Sequence, residues 1–174
     1  MSLVTDTPED PHAGPRPPVG RRRTAARLAA VQALYQIELS GGAVDAVVGE
    51  FVRHRLGNED EGDNFGEVDQ TLFGDVVRGT MARKADLDGM ISAALSAEWP
   101  LERLEVILRA ILRVGAYELF ARPDVPARVV ISEYLDIAHA FFAGKEPGLV
   151  NGVLDRLART LRPQEVQEQG RGGA

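Results

Sequence analysis

Apolar residues recur at helical spacing along most of the chain. Between Arg21 and Ser40, Leu28, Val31, Leu34, Tyr35 and Leu39 follow one another at three, three, one and four positions, the period of one buried helical face. This predicts a helix from about Arg22 to Ser40, ended by Gly41-Gly42. A shorter helix is expected over Val44–Leu56, with Val47, Val48, Phe51, Val52 and Leu56 inward and Gly57 closing it. The helical period resumes at Glu67. Leu72, Phe73, Val76, Val77, Thr80 and Met81 share a face, and Leu87, Ile91, Ala94 and Leu95 continue it, in one long helix or in two bent near Asp86–Gly89. Trp99-Pro100 ends this stretch, and the tryptophan is expected in the core.

Leu101–Ala121 is the most apolar segment. Leu104, Ile107, Leu108, Ile111, Leu112 and Leu119 spread over more than one stripe, as in a central helix packed on several sides. Pro123 and Pro126 turn the chain into a helix over Val129–Ala143. A short loop, Lys145–Gly148, leads to a last helix over Leu149–Leu161, with Val150, Val153, Leu154, Leu157 and Leu161 inward and Pro163 stopping it. No segment shows a convincing strand period, and the β-branched run Val129–Ile131 merges into a helical one. The expected fold is all-α, a compact bundle of six or seven helices joined by short loops. Residues 1–20 hold five of the ten prolines and read as a disordered tail, 21–163 as the folded domain, and 164–174, rich in Gln and Gly, as a frayed tail.

Composition narrows the function. At 174 residues and 44% hydrophobic content the chain can bury a real core. The absence of cysteine excludes a disulfide framework, thiolate zinc sites and cysteine nucleophiles, and fits a reducing, cytoplasmic setting. The polar, proline-rich start does not resemble a signal peptide, and no apolar run approaches membrane-spanning length. Arg21, Arg22, Arg23 and Arg27 contribute +4 to a net charge of −6, which leaves −10 on the rest. Such a chain binds a polyanion locally, because its remaining surface repels it. Cations at a helix start are also opposed by the macrodipole, a local cost that a polyanionic partner would offset.

A catalytic constellation is not evident. His12 lies in the tail, and His54 and His139 have no partner at ligand spacing. The acids of 58–64 do not follow a calcium-loop pattern, so that stretch reads as a solvated loop. Glu133 and Asp136 could share a helical face, but nothing indicates a cleft around them. The glycines form no phosphate-cradling loop and there is no G-x-S-x-G, so neither an enzyme nor a cofactor or metal is expected. Binding is better supported. Single-stranded RNA is held by cations on its phosphates and planar groups under its bases. The cations are Arg21, Arg22, Arg23 and Arg27; the planar candidates are Tyr35, Phe141 and Phe142. Adjacent helical residues diverge by about 100°, so one of the two phenylalanines tends toward a surface or seam, unless both are buried between neighbouring helices.

Several segments, in order and spacing, resemble the NusB family of transcription antitermination factors. They are Arg21-Arg22-Arg23, VQALYQIELS at 31–40, AILRVGAYEL at 110–119, DVP at 124–126, ISEYLDIAHAFF at 131–142 and VNGVLDRLAR at 150–159. The resemblance spans about Arg21 to Pro163. It implies two packed helical subdomains and a partner, NusE, a protein of the small ribosomal subunit. It further implies joint binding of single-stranded boxA RNA, acting on the RNA polymerase elongation complex with other Nus factors in ribosomal RNA operons. The family's arginine-rich RNA contact falls on Arg21, Arg22, Arg23 and Arg27, and further RNA-facing positions fall on Arg113, Phe141 and Lys145. The helix from Glu105 to Glu118 is the expected NusE-facing element. Three positions depart from the family pattern: Leu149 stands where an aromatic is usual, Gly148 where a base is usual and Lys145 where an acid is usual. Self-association of the free protein is left open. Two other readings are a helical scaffold without RNA contact and an RNA-binding module of the rRNA methyltransferase type. The second is disfavoured, because eleven residues after Pro163 leave no room for a methyl-donor domain.

Overall fold

The computed structural model describes residues 19–56 and 68–171. The expected acidic loop at 58–64, and the tail before residue 19, lie outside the described residues. Eight α-helices are present among those described: α1 Val19–Ser40, α2 Val44–His54, α3 Gln70–Ala82, α4 Lys84–Ala94, α5 Val106–Ala121, α6 Ala127–Phe141, α7 Glu146–Leu161 and α8 Pro163–Arg171, with a 3-10 turn at Leu101–Arg103 before α5. The all-α class is as expected from the sequence.

Helix ends follow local chemistry. Gly41 stands at φ 64, a left-handed cap that ends α1, and its N–H donates to the Ile37 carbonyl at 2.9 Å. Asp69 caps α3 by accepting from the Leu72 N–H at 2.9 Å. The long stretch after Glu67 is two helices, and the break falls at Arg83, ahead of the expected bend at Asp86–Gly89. The loop expected at Lys145–Gly148 is instead largely the first turn of α7, where Pro147 is tolerated because an initial N–H has no helical partner. Pro163 ends α7 as expected, but for the same reason it also begins α8, where a frayed tail was expected.

Two groups of helices share α5. It packs on α1 and α3 on one side and on α4, α6 and α7 on the other, while α2 covers α1 and α3. This explains its apolar surface: every residue from Ala110 to Leu119 is buried. The buried face of α1 differs from the expected one. Ala26, Ala29, Ala30, Ala33, Val31, Leu34 and Ile37 are inside, whereas Tyr35 and Leu39 are exposed and Leu28 is half-buried. The short alanines let α1 lie close on α3 and α5, and this leaves Tyr35 and Leu39 on the solvent side. Trp99 is 46% exposed rather than in the core, because the chain from Ser96 to Pro100 crosses the surface between α4 and the 3-10 turn.

Two polar devices fix the frame around α5. Arg162 is buried, and its guanidinium donates to the carbonyls of Leu119 at 2.9 Å, Glu118 at 2.9 Å, Arg122 at 2.6 Å and Val125. The Leu119 carbonyl at the end of α5 has no helical donor, because Pro123 stands four residues on, so a cation caps the negative end of the central helix. Glu165 then accepts from the Ala127 N–H at 2.9 Å at the start of α6. Gly79 permits the second device. A Cβ there would lie 2.1 Å from the Tyr117 ring, so only glycine lets α3 accept that ring, whose hydroxyl donates to Asp75 at 3.1 Å.

Candidate nucleic-acid interface

The outer stripe of α1 carries the surface of interest. Arg21, Thr24, Leu28, Gln32, Tyr35 and Leu39 follow at intervals of three or four and lie on one side of the helix. Arg21 is exposed at one end, and Tyr35, 40% exposed, and Leu39 stand at the other. Helix α6 lies alongside. At one end of the pair the Thr24 hydroxyl meets the Glu133 carboxylate, 2.9 and 3.0 Å from its two oxygens. At the other end Phe141, 42% exposed, joins Tyr35 in a shallow groove of about 670 Å³. Gln32, Gln36, Leu39, Ser40, Arg55 and Ile107 complete its lining.

The predicted site residues therefore separate. Tyr35 and Phe141 come together although about a hundred positions apart in sequence. Phe142 turns inward and packs partly buried against the core, which resolves the phenylalanine pair into one groove residue and one core residue. Arg21 stands exposed on the same stripe as Tyr35. Arg22 is half-buried, and its carbonyl accepts from the Asp69 N–H at 3.2 Å. Arg23 is half-exposed, with Asp69 a loose 3.9 Å away. Lys145 is exposed at the start of α7 and is not among the groove-lining residues.

Arg27 is a correction. It is 2% exposed and lies inside the protein, with Nε 2.8 Å and Nη2 3.0 Å from the two oxygens of Glu118, itself 0% exposed. The Tyr134 hydroxyl donates to the same carboxylate, and Glu133 stands 3.8 Å from Arg27 Nη1. Burial works to lower the Arg27 pKa, but the hydrogen bond and charge of Glu118 outweigh it and the net shift is upward. Burial, and then the charge of Glu118, hold the Tyr134 phenol well above its usual range. The residue expected to touch phosphate thus neutralises a buried acid. By the same geometry Glu118 faces no partner, and of the two acids assigned to NusE only Glu105 is on the surface.

Arg113 is corrected in the same way. It is buried beneath a shallow cleft, donating to Asp88 at 2.7 and 3.1 Å and to Glu38 at 3.2 Å. Arg109 holds the other oxygen of Glu38. This cluster ties α1, α4 and α5 together and leaves Arg113 no guanidinium edge for RNA. The sequence reading missed Gln32, Gln36 and Arg55 in the groove. The two glutamines were findable, being four apart and flanking Tyr35; Arg55 follows α2 with no local signal.

The helical frame thus presents an aromatic groove at one end of α1 and a cationic helix start at the other. Residues 24–159 match the profile of the NusB family, and the chain belongs to that family. It is 54% identical over 144 residues to the transcription antitermination protein NusB of Rhodopseudomonas palustris strain BisB18, covering 83% of this chain and 85% of that one. The fold matches T. maritima NusB with a TM-score of 0.70 at 28% identity, over 88% of this chain and 99% of that one. It also matches a chain of a crystal structure of antitermination factors NusB and NusE in complex with dsRNA, with a TM-score of 0.66 at 25% identity, over 80% and 98% of the two chains. The family is one of transcription antitermination proteins, not of enzymes.

Proposed function

We propose that this protein is an antitermination factor that binds single-stranded boxA RNA jointly with NusE, and that it acts on the RNA polymerase elongation complex with other Nus factors during ribosomal RNA synthesis. The observation that carries the RNA half is the convergence of Tyr35 and Phe141 in one groove, on the same stripe of α1 as the exposed Arg21. Exposed rings stack on bases only when the bases are unpaired, which favours a single strand over a duplex. The phosphate contacts fall to Arg21, Arg22 and Arg23, with Lys145 a separate cation at the start of α7.

NusE enters through charge and through the relatives. A chain of net charge −6 whose cationic footprint is one helical turn holds RNA weakly alone, and a second RNA-binding protein supplies the missing contacts. We place its docking surface on the exposed segment that leads into α5, around Glu102 in the 3-10 turn and Glu105 at the cap. The test is to titrate boxA RNA against the protein with and without NusE in one salt condition. NusE should tighten binding, and Glu105→Lys should weaken NusE binding while sparing binding of RNA alone. An RNA affinity indifferent to NusE would overturn the joint mechanism.

A further inference from the structure

The far wall of the groove is closed by a residue outside the α1–α6 pair. Arg55 caps the end of α2, where the helix dipole favours a cation. Its guanidinium lies 4.5 Å over the ring of Phe51, and Phe51 stacks on Phe73 at 5.6 Å with 22° between the planes. Phe51 and Phe73 are buried, whereas Arg55 is exposed. The guanidinium therefore rests on a buried aromatic pair. This contact limits the poses open to it before any ligand arrives, so less side-chain entropy is lost on forming a fork of hydrogen bonds. Among the described groove-lining residues it is the one with a charge. Among the described residues Arg55, like the exposed Arg53, Arg103 and Arg128, shows no carboxylate partner, whereas Arg78 and Arg159 are held by Asp45 and Asp155; of the four, Arg55 is the one that lines the groove.

We infer that Arg55 is a second phosphate-binding point on the RNA path, at the opposite end from the arginine turn. This rests on the RNA-binding reading of the groove. The strand is held by Arg21–Arg23 at the start of α1, lays bases on Tyr35 and Phe141, and leaves with a backbone phosphate in the fork of Arg55. From Arg21 to Ser40, which lines the groove beside Arg55, the helical rise gives about 28 Å, too far for one phosphate to serve both ends.

The experiment is a salt series of boxA RNA titrations on the full chain carrying NusE. It compares the unsubstituted protein with Arg55→Met, which keeps an apolar cover over Phe51, and with Arg55→Lys. Loss of one phosphate contact on a single strand should make the slope of log affinity against log salt shallower by about 0.7 in Arg55→Met. Arg55→Lys should keep the slope and recover only part of the affinity, because an ammonium lacks the fork. An unchanged slope in Arg55→Met overturns the assignment, whether affinity holds or falls, since a fall at constant slope means stacking rather than phosphate contact. Arg21→Ala and Tyr35→Ala, measured alongside, separate the two levels. If they weaken binding while Arg55→Met has no effect, only the Arg55 inference fails; if they too have no effect, the groove reading fails.

Discussion

Replacing Arg27 with alanine separates a structural arginine from an RNA contact. The substitution removes both guanidinium bonds to Glu118 and leaves that carboxylate, 0% exposed, with only the Tyr134 hydroxyl among its recorded side-chain partners. Breaking a buried pair from one side costs about 3–5 kcal/mol, because the remaining charge stays desolvated. In a protein of 174 residues each kcal/mol moves the melting midpoint by about 2–4 °C, so a loss of about 6–20 °C is expected. Arg27→Met with Glu118→Met should recover most of the stability, because a packed apolar pair of similar volume removes both charges. The assay is urea and thermal unfolding of the three variants, with boxA affinity measured well below each midpoint. A folded Arg27→Ala protein of unchanged stability and lost RNA affinity would refute the reasoning and return Arg27 to the RNA surface.

Other outcomes follow from the frame. Gly79→Ala should cost about 1–3 kcal/mol in urea unfolding, since its Cβ falls inside the Tyr117 ring; adding Tyr117→Leu should relieve much of that. Arg162→Ala should destabilise by more than about 1–3 kcal/mol, because the buried bonds to the Leu119 and Val125 carbonyls, which have no other donor among the described residues, are lost together, and Arg162→Lys should restore only part. Alkaline pH should destabilise the protein. The Tyr134 phenol is raised in the folded state, so its contribution is complete below the unfolded tyrosine pKa of about 10 and declines from there until the folded value is reached. Unfolding free energy measured from pH 8 to 11 should fall less steeply in Tyr134→Phe.

The helical fold was legible because apolar period and breakers agree along the chain. Helix α2, the inner face of α3 and the apolar α5 were readable from their large residues. The rotation of α1 was not. Four of its core residues are alanines, which carry little periodic signal, so the spacing of the larger residues put Leu39 inward with Val31 and Leu34 and left Tyr35 between core and RNA contact. Trp99 was expected in the core as a residue at a helix–helix junction, but that junction crosses the surface and leaves the ring exposed. The arginines show the sharper limit. Arg21 and Arg27 look alike in a basic run, yet six residues on a helix put them on different sides, and only the distant Glu118 and Tyr134 show which one is buried. Arg113 was likewise assigned to RNA without Glu38 and Asp88, which come from two other helices. Conversely, the meeting of Tyr35 and Phe141 needed the packing of α6 beside α1.

The most direct measurement is the affinity of single-stranded boxA RNA for the protein with saturating NusE, compared with that of Tyr35→Ala/Phe141→Ala. Both side chains reach the surface and stand outside the core, so their loss spares it. Each base stacked on a ring is worth about 1–3 kcal/mol, so the double variant should bind at least tenfold more weakly while its melting temperature and NusE binding hold. Undiminished RNA affinity in that variant would contradict the groove as the RNA site.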